Sequence, residues 1–395
     1  MTNERALNKR IRRRILAPNR EFFAATAPGL EKICLNEFVS FDWLNFSPGI
    51  VKGGIEFSGR VPFIYEANLL TRTANRIMMR IGEFRASNFR QLEKKLSKFP
   101  WELYIHPHHT VQVKVSSSHS RLYHTGAVGA RIGEILNSIP CLLQKSVVTS
   151  PSVIQTVYVR IVDDRVTLSL DSSGEILYKR GIKTHVTRAP LRETTAGAAL
   201  LIAGYNRDEP LIDPMCGSGT FSLEAAMMAL NIPPGWFREF AFMQWPCFNP
   251  ARWTFIRSRH EKHMLQLNKP IIFASDIDSR ICRELKNCIE KSRFGDIVTV
   301  SDGLDFFSFC PEHVTKKTGL VVLNPPYGLR MDSPEKQTDR FFREIFKKLK
   351  KDYKRWRVAM IMPEQHLAKS AAQPLKMQPL FHGGLRLFLI YGTIS

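Results

Sequence analysis

Long apolar runs are missing from this chain. No stretch approaches the roughly 18 uninterrupted apolar residues of a membrane-spanning helix, and the opening "MTNERALNKRIRRRILAPNR" lacks the apolar centre of a signal peptide. A cytoplasmic protein with no membrane partner is expected. The seven cysteines (Cys34, Cys141, Cys216, Cys247, Cys282, Cys288 and Cys310) never stand as CxxC. Scattered and odd in number, they fit reduced thiols and exclude a disulfide framework or a zinc ribbon. The histidine run "IHPHHT" (His106, His108 and His109) is no better as a metal site. Its proline breaks helical spacing, and no carboxylate or cysteine follows at ligand distance. No metal is expected. Acids are also scarce: 36 Asp and Glu stand against 57 Lys and Arg, a net charge of +21. Such a surface suits a polyanion, nucleic acid first. No basic amphipathic helix with a broad apolar face stands out, which weighs against an anionic membrane as the partner.

What is there divides in two. At 395 residues the chain is long enough for two or three domains with real cores. Residues 1–20 carry seven Arg and Lys against Glu4 alone and read as a flexible basic tail. From residue 21, "EFFAATAPGLEKICLNEF" predicts a strand, a Pro-Gly turn and a helix, and "GIVKGGIEFSG" a hairpin. "VPFIYEANLLTRTANRIMMRI" reads as helical throughout. The pattern then repeats: a helix over "FRQLEKKLSKFPW", the strand "TVQVKVSSS", a helix near 126–138, and one long alternating strand, "IQTVYVRIVDDRVTLSLDSS". These are two small α+β units without a catalytic cluster. The loop "SSSHSRLYHTGAVG" places His119, Arg121, Tyr123 and His124 before a helix, where backbone N–H groups suit a phosphate.

Past a bridge ending in an Ala-rich helix over 189–204, announced by Pro190, the texture changes. Strand and helix alternate: "PLIDPM", a helix from Ser218, "IIFASDID", a helix over 279–292, "DIVTVSDG", "GLVVLNPP", a helix over 335–351 and "WRVAMIMPE". A closing hairpin turns at Gly383-Gly384. This predicts a doubly wound, mostly parallel sheet with ligands at the carboxyl ends of its strands. Residues 231–269, rich in Trp, Phe and Pro, form a long insertion of functional size.

The notable polar motifs of this half sit at those strand ends. In "LIDPMCGSGTFSLEAA" an acid, Asp213, precedes Pro214, Cys216, Gly217, Ser218, Gly219 and Thr220, a tight glycine turn that lets a ligand touch backbone ahead of a helix N-terminus. No Lys-Ser/Thr follows the glycines and the spacing falls short of GxGxxG, which excludes a Walker loop and the dinucleotide fingerprint. Asp276 and Ile277 close the next strand, with the acid placed for two ribose hydroxyls, while Asp278 better suits a helix N-cap. Asp302 and Gly303 end the third, where an acid suits either an adenine amino group or a turn cap. At the fourth, "VVLNPPYGLR" drives a buried run into Asn324, Pro325, Pro326 and Tyr327. The prolines hold the backbone extended with carbonyls free to accept. A planar, amine-bearing base fits there, its N–H bonds accepted by Asn324 and the Pro325 carbonyl and its ring stacked on Tyr327.

"DPMCGSGT" and "LNPPYG" resemble the first and fourth motifs of S-adenosylmethionine-dependent methyltransferases that act on exocyclic amines. With the two-unit first half and the bridge "SLDSSGEILYKRGIKTHVTRAPLRETTAGAAL", nearly the whole chain after residue 20 resembles the THUMP-domain guanine-N2 RNA methyltransferases, the large-subunit ribosomal RNA branch above all. The resemblance implies a tail (1–20) and a ferredoxin-like subdomain (21–71, completed by part of 170–187). A THUMP RNA-binding domain (72–170), a linker with a bridging helix (171–205) and a Rossmann-like methyltransferase domain (206–395) follow. It implies S-adenosyl-L-methionine as cofactor, with Asp213, Gly217 and Gly219 at its methionine end, Asp276 at the ribose and Asp302 at the adenine. Asn324 to Tyr327 would hold the target base. Structured RNA is the implied partner, ribosomal before transfer RNA, and a monomer the favoured assembly. Phe221 departs from the smaller aliphatic residue usual there. A cytosine-C5 enzyme is disfavoured because no Pro-Cys pair follows the fourth strand: Pro246-Cys247 lies in the insertion and Pro140-Cys141 in the first half. An adenine-N6 enzyme and a non-catalytic RNA-binding assembly factor remain alternatives.

Overall fold

The computed structural model describes residues 2–41, 48–107, 109–139, 153–183, 191–326, 335–363 and 375–395. Two seven-stranded sheets dominate the described residues. The first takes β1 (Arg20–Thr26), β2 (Gly49–Val51), β3 (Gly54–Gly59), β4 (Ala74–Arg85), β5 (Thr110–Ser118), β6 (Ile154–Val162) and β7 (Arg165–Asp171) in the order β2-β3-β1-β4-β7-β6-β5. All pairs are antiparallel except β5 with β6. Helices α2 (Glu31–Val39), α3 (Pro62–Leu70), α4 (Phe89–Ser97) and α5 (Thr125–Ser138) supply the rest of this half.

The two expected small units therefore share one sheet, and β4 is the strand that joins them. It pairs with β1 on one side and β7 on the other. This corrects the reading of 61–81 as one helix. Thr71 caps α3 in an extended conformation and Ala74 begins a strand. The run "RIMMRI" satisfies both periods; the two neighbouring strands, which take up its backbone N–H and C=O groups, decide it. The single strand expected over 154–173 is likewise a hairpin, turned at Asp163 and Asp164 with φ of 52° and 59°. Two positive φ values match the twist of a tight hairpin, and Asp tolerates them better than most residues. The flexible basic tail is also corrected: α1 (Thr2–Ile11) and the turn Arg12–Leu16 bury Ile11 and Ile15 in the first core, and Arg10 pairs with Glu102.

The second sheet contains β8 (Leu211–Asp213), β9 (Ile272–Asp276), β10 (Val298–Asp302), β11 (Leu320–Leu323), β12 (Arg357–Pro363), β13 (Lys376–His382) and β14 (Leu385–Thr393), ordered β10-β9-β8-β11-β12-β14-β13. The first five run parallel; β14 and β13 close the edge antiparallel. Burial on both faces explains the continuous apolar strands. Leu320 and Val322 join one core with α6 (Glu193–Ile202), α7 (Thr220–Ala229) and α9 (Ser279–Glu290). Val321 and Leu323 join the other with α10 (Glu335–Asp352). The strand order reverses between β8 and β11, the place where such sheets open a ligand crevice.

The insertion over 231–269 is a strap. It carries a 3-10 turn (Ala241–Gln244) and α8 (Pro250–Glu261), and its Phe240, Phe242, Trp245, Cys247, Trp253 and Ile256 are buried in the core of the first sheet. Tyr65 of α3 stacks on Phe242 with centroids 4.6 Å apart. Trp245 Nε1 donates to Gln155 Oε1, and Arg238 donates to the carbonyls of Ser173, Glu175, Ile176 and Lys179. Beside it lies a buried charge cluster. Arg180 of the bridge donates to Glu224 of α7 at 2.8 Å and to the Arg72 carbonyl, while Arg72 reaches Glu224 from the α3–β4 loop. Glu37 of α2 accepts the backbone N–H groups of Arg72 and Thr73. Charges this deep persist only when paired and hydrogen-bonded. The cluster and the strap hold the helix behind the glycine turn against the first half.

Candidate active site

The carboxyl ends of β8, β9, β10 and β11 surround a cavity of about 950 Å³. The glycine turn after β8 forms one wall. Gly217 and Gly219 have φ of 50° and 71°, a region closed to most side chains. A Cβ on Gly219 would lie 2.4 Å from Leu285 Cδ1, so this glycine is needed for helix packing. Open space lies where a Cβ on Gly217 would stand, and the residue lines the cavity. The turn is tied down by Cys216 N–H on the Ser275 carbonyl and Gly219 N–H on the Cys216 carbonyl.

Asp276 joins this wall to the next. Its carboxylate accepts Gly217 N–H at 2.9 Å and Asp278 N–H at 3.0 Å and faces the cavity with lone pairs to spare. Asp278 caps α9 through Arg280 N–H, as its sequence position suggests. Ile277 is 72% exposed and offers an apolar wall beside the acid. At the end of β11, Asn324 and Pro326 line the cavity, Pro325 is buried, and Tyr327 lies outside the described residues. Asn324 Oδ1 is buried with no hydrogen-bond partner among the described residues.

Pro214, Cys216, Ser218 and Thr220 line the cavity as well. Five of the expected site residues are not on its wall: Gly219, which packs on Leu285, the buried Pro325, and Asp213, Asp302 and Gly303. Asp213 is 1% exposed beneath the glycine turn, with Oδ2 accepting from the Ser222 hydroxyl at 2.7 Å and Oδ1 unpartnered. Burial pushes its carboxyl up to about 7, against the lowering pull of the Ser222 hydroxyl and N–H. Asp302 turns outward to Lys286 Nζ at 3.0 Å and is not on the cavity wall, and neither is Gly303. The residue past β10 that does face the cavity is Asp305, with Phe306, Phe307 and, from α10, Phe341. Phe307 meets Phe341 edge-on at 5.9 Å. Sequence reasoning missed this group; the only signal was the "LDFF" that follows Gly303. It also missed Lys183, whose ammonium reaches Thr220 Oγ1, Ser218 Oγ and Glu193.

A switch-point crevice with a glycine turn, an acid with open lone pairs and an Asn-Pro-Pro strand end defines the class: a Rossmann-like α/β fold with a ligand crevice at the carboxyl ends of its strands. Comparison with known proteins makes this particular. Residues 180–387 match the model of the RMKL-like methyltransferase domain family, residues 21–78 the RlmL ferredoxin-like domain and residues 86–171 the THUMP domain. The chain belongs to the RMKL-like methyltransferase domain family. It is 29% identical over 381 residues to the putative RNA methyltransferase slr0064 of Synechocystis, covering 95% of this chain and 97% of that protein. It is 30% identical to the ribosomal RNA large subunit methyltransferase K/L of Methylococcus capsulatus, covering 94% of this chain but 51% of that protein, so it spans about half of the K/L enzyme. Among solved structures it matches SMU.472, a putative methyltransferase complexed with SAH, at a TM-score of 0.83 and 26% identity over 96% of this chain and 99% of that one.

Proposed function

We propose that the protein transfers a methyl group from S-adenosylmethionine to the exocyclic N2 of a guanine in structured RNA, large-subunit ribosomal RNA before transfer RNA. The observation that carries this is the unpartnered, buried Asn324 Oδ1 at the end of β11, on the same cavity as the glycine turn. A buried acceptor left alone costs about 1–3 kcal/mol, a cost a base amine would remove. The cavity suits the cofactor too. Gly217 leaves room for close approach, Asp276 has lone pairs for ribose hydroxyls, Ile277 has an apolar face for adenine, and Asp213 has an open oxygen below the turn. The SAH complex of SMU.472 supports the same choice. The names of slr0064 and the K/L enzymes support RNA, ribosomal RNA in particular, as does the THUMP match. Guanine N2 over adenine N6 follows the family resemblance of the motifs.

The chemistry is electrostatic. When bound, the cofactor supplies a methyl group activated on a sulfonium. Asn324 Oδ1 and the Pro325 carbonyl accept the two N–H bonds of the amine and draw its lone pair out of conjugation, and both favour the positive charge that grows on nitrogen. Two prolines hold these acceptors in place at little further entropic cost. Phe307 and Phe341 give the mouth apolar faces for a base taken out of its stack. No general base is needed before attack, and the surplus proton leaves the alkylated amine for water.

The test is to incubate the protein and labelled cofactor with unmodified ribosomal and transfer RNA pools separately, then identify the labelled nucleoside. N2-methylguanosine from the ribosomal pool is the expected result. N6-methyladenosine would replace the guanine reading, and no label in either pool would favour a binding protein.

A further inference from the structure

We infer that Lys183 is a positioning residue for the carboxylate of the cofactor's methionine end, supplying positive charge at the glycine turn and holding the Ser218 hydroxyl as a donor toward the cavity. The inference rests on the S-adenosylmethionine reading above. Lys183 lies in the bridge, three residues past the buried Arg180, and its side chain is 11% exposed. Its Nζ stands 3.0 Å from Glu193 Oε1, 2.6 Å from Thr220 Oγ1 and 3.2 Å from Ser218 Oγ. An ammonium has three protons and no lone pair, so both hydroxyls must accept from it and place their own protons elsewhere. Thr220 has the Leu191 carbonyl at 3.2 Å. Ser218 has only a long 3.5 Å approach to Thr220 Oγ1, and it lines the cavity, so its proton is available to an anion there.

Charge argues the same way. A cation beside the first turn of α7 opposes the helix dipole, and Glu193 offsets one charge without supplying the ligand's. Lys183 stands behind Ser218 and Thr220 rather than on the cavity wall, whose own charges are Asp276, Asp278 and Asp305 and one arginine, Arg280, engaged by Asp278. A carboxylate would be repelled from those positions and drawn to the turn. The amino group of the same zwitterion needs the opposite sign. Asp213, off the cavity wall on the strand beneath the turn, is the buried acid on that side, with Oδ1 unpartnered. One cation and one anion thus flank the glycine turn, as recognition of an amino-acid end requires.

The probe is a pair of ligands, S-adenosylmethionine and its decarboxylated form, which keeps the sulfonium and the amine. Titration calorimetry on the full chain should show wild type preferring the carboxylated ligand by about ten- to a hundred-fold, the range for hydrogen bonds to a charged group. Lys183→Met should erase that preference by weakening the carboxylated ligand alone, leaving the decarboxylated one within about three-fold. Lys183→Arg should restore most of it, and Ser218→Ala should move in the same direction as Lys183→Met. If Lys183→Met does not fold, the arginine and serine variants read the same difference. Equal loss for both ligands, or no preference in wild type, overturns the role of Lys183 while sparing the cofactor. Binding of neither ligand by wild type overturns the cofactor reading itself.

Discussion

The two sheets treat their buried polar groups in opposite ways. On the strands of the first, no side-chain N or O is buried without a hydrogen-bond partner among the described residues. Asp171 is met by Arg76 and by Ser173 N–H, and Asn68 bonds Ser172 and Ser173. In the second, Asp213 Oδ1 and Asn324 Oδ1, at the carboxyl ends of β8 and β11, have none. Topology accounts for the difference. Hairpins return the antiparallel chain at once and close its polar ends on themselves, whereas parallel strands β8 and β11 both end facing a crevice. Unsatisfied acceptors persist where something else completes them, and these two stand on neighbouring strands at the switch point.

The comparison breaks most directly at Asn324. Asn324→Ala removes one acceptor and should lower turnover about a hundred-fold or more, with cofactor affinity changed by no more than about three-fold. Single-turnover methylation beside calorimetry with the cofactor would measure both. Unchanged turnover would remove Asn324 from the site. The strap tests whether the sheets act as one body. Phe242 is fully buried against Tyr65, so Phe242→Ala should cost about 3–5 kcal/mol in denaturant unfolding. Folding that remains two-state with the same m-value marks a single cooperative unit; two separate transitions would show the halves to be independent. For the same reason, a fragment lacking the first half would expose Phe240, Phe242, Trp245 and Trp253, and the catalytic half is not expected to stand alone.

Much of this was legible in the sequence because period and punctuation agreed. Strands β8, β9, β10 and β11 run into Asp213, Asp276, Asp302 and Asn324, and Asp278 announces α9 as its cap. The first half was harder where two signals coincided. "RIMMRI" suits helix and strand alike until the two strands flanking β4 are known, and Asp163-Asp164 breaks a strand without a glycine to announce it. The docked tail and the strap were hidden for a different reason. Their apolar residues are visible, but the surface that buries them is built by residues far away in sequence. Lys183 was hidden in the same way, since its partners Glu193 and Thr220 come together only when the bridge folds back on α7.

Asp302 gives the finest test of how far sequence position predicts a role. Its place at the end of β10 suits an adenine contact, yet its carboxylate pairs with Lys286, with 39% and 38% of the two side chains exposed, and it is off the cavity wall. A pair so open to solvent contributes about 0–1 kcal/mol. Asp302→Asn should therefore leave cofactor affinity within about three-fold, and the small loss of stability should shrink further in high salt as screening weakens the pair. Asp305→Asn, on the cavity itself, should cost more than Asp302→Asn when both are titrated side by side. A tenfold loss at Asp302 with none at Asp305 would reverse the assignment. It would mean that the Lys286 pair opens when the cofactor arrives, and that the end of β10 joins the proposed cofactor site.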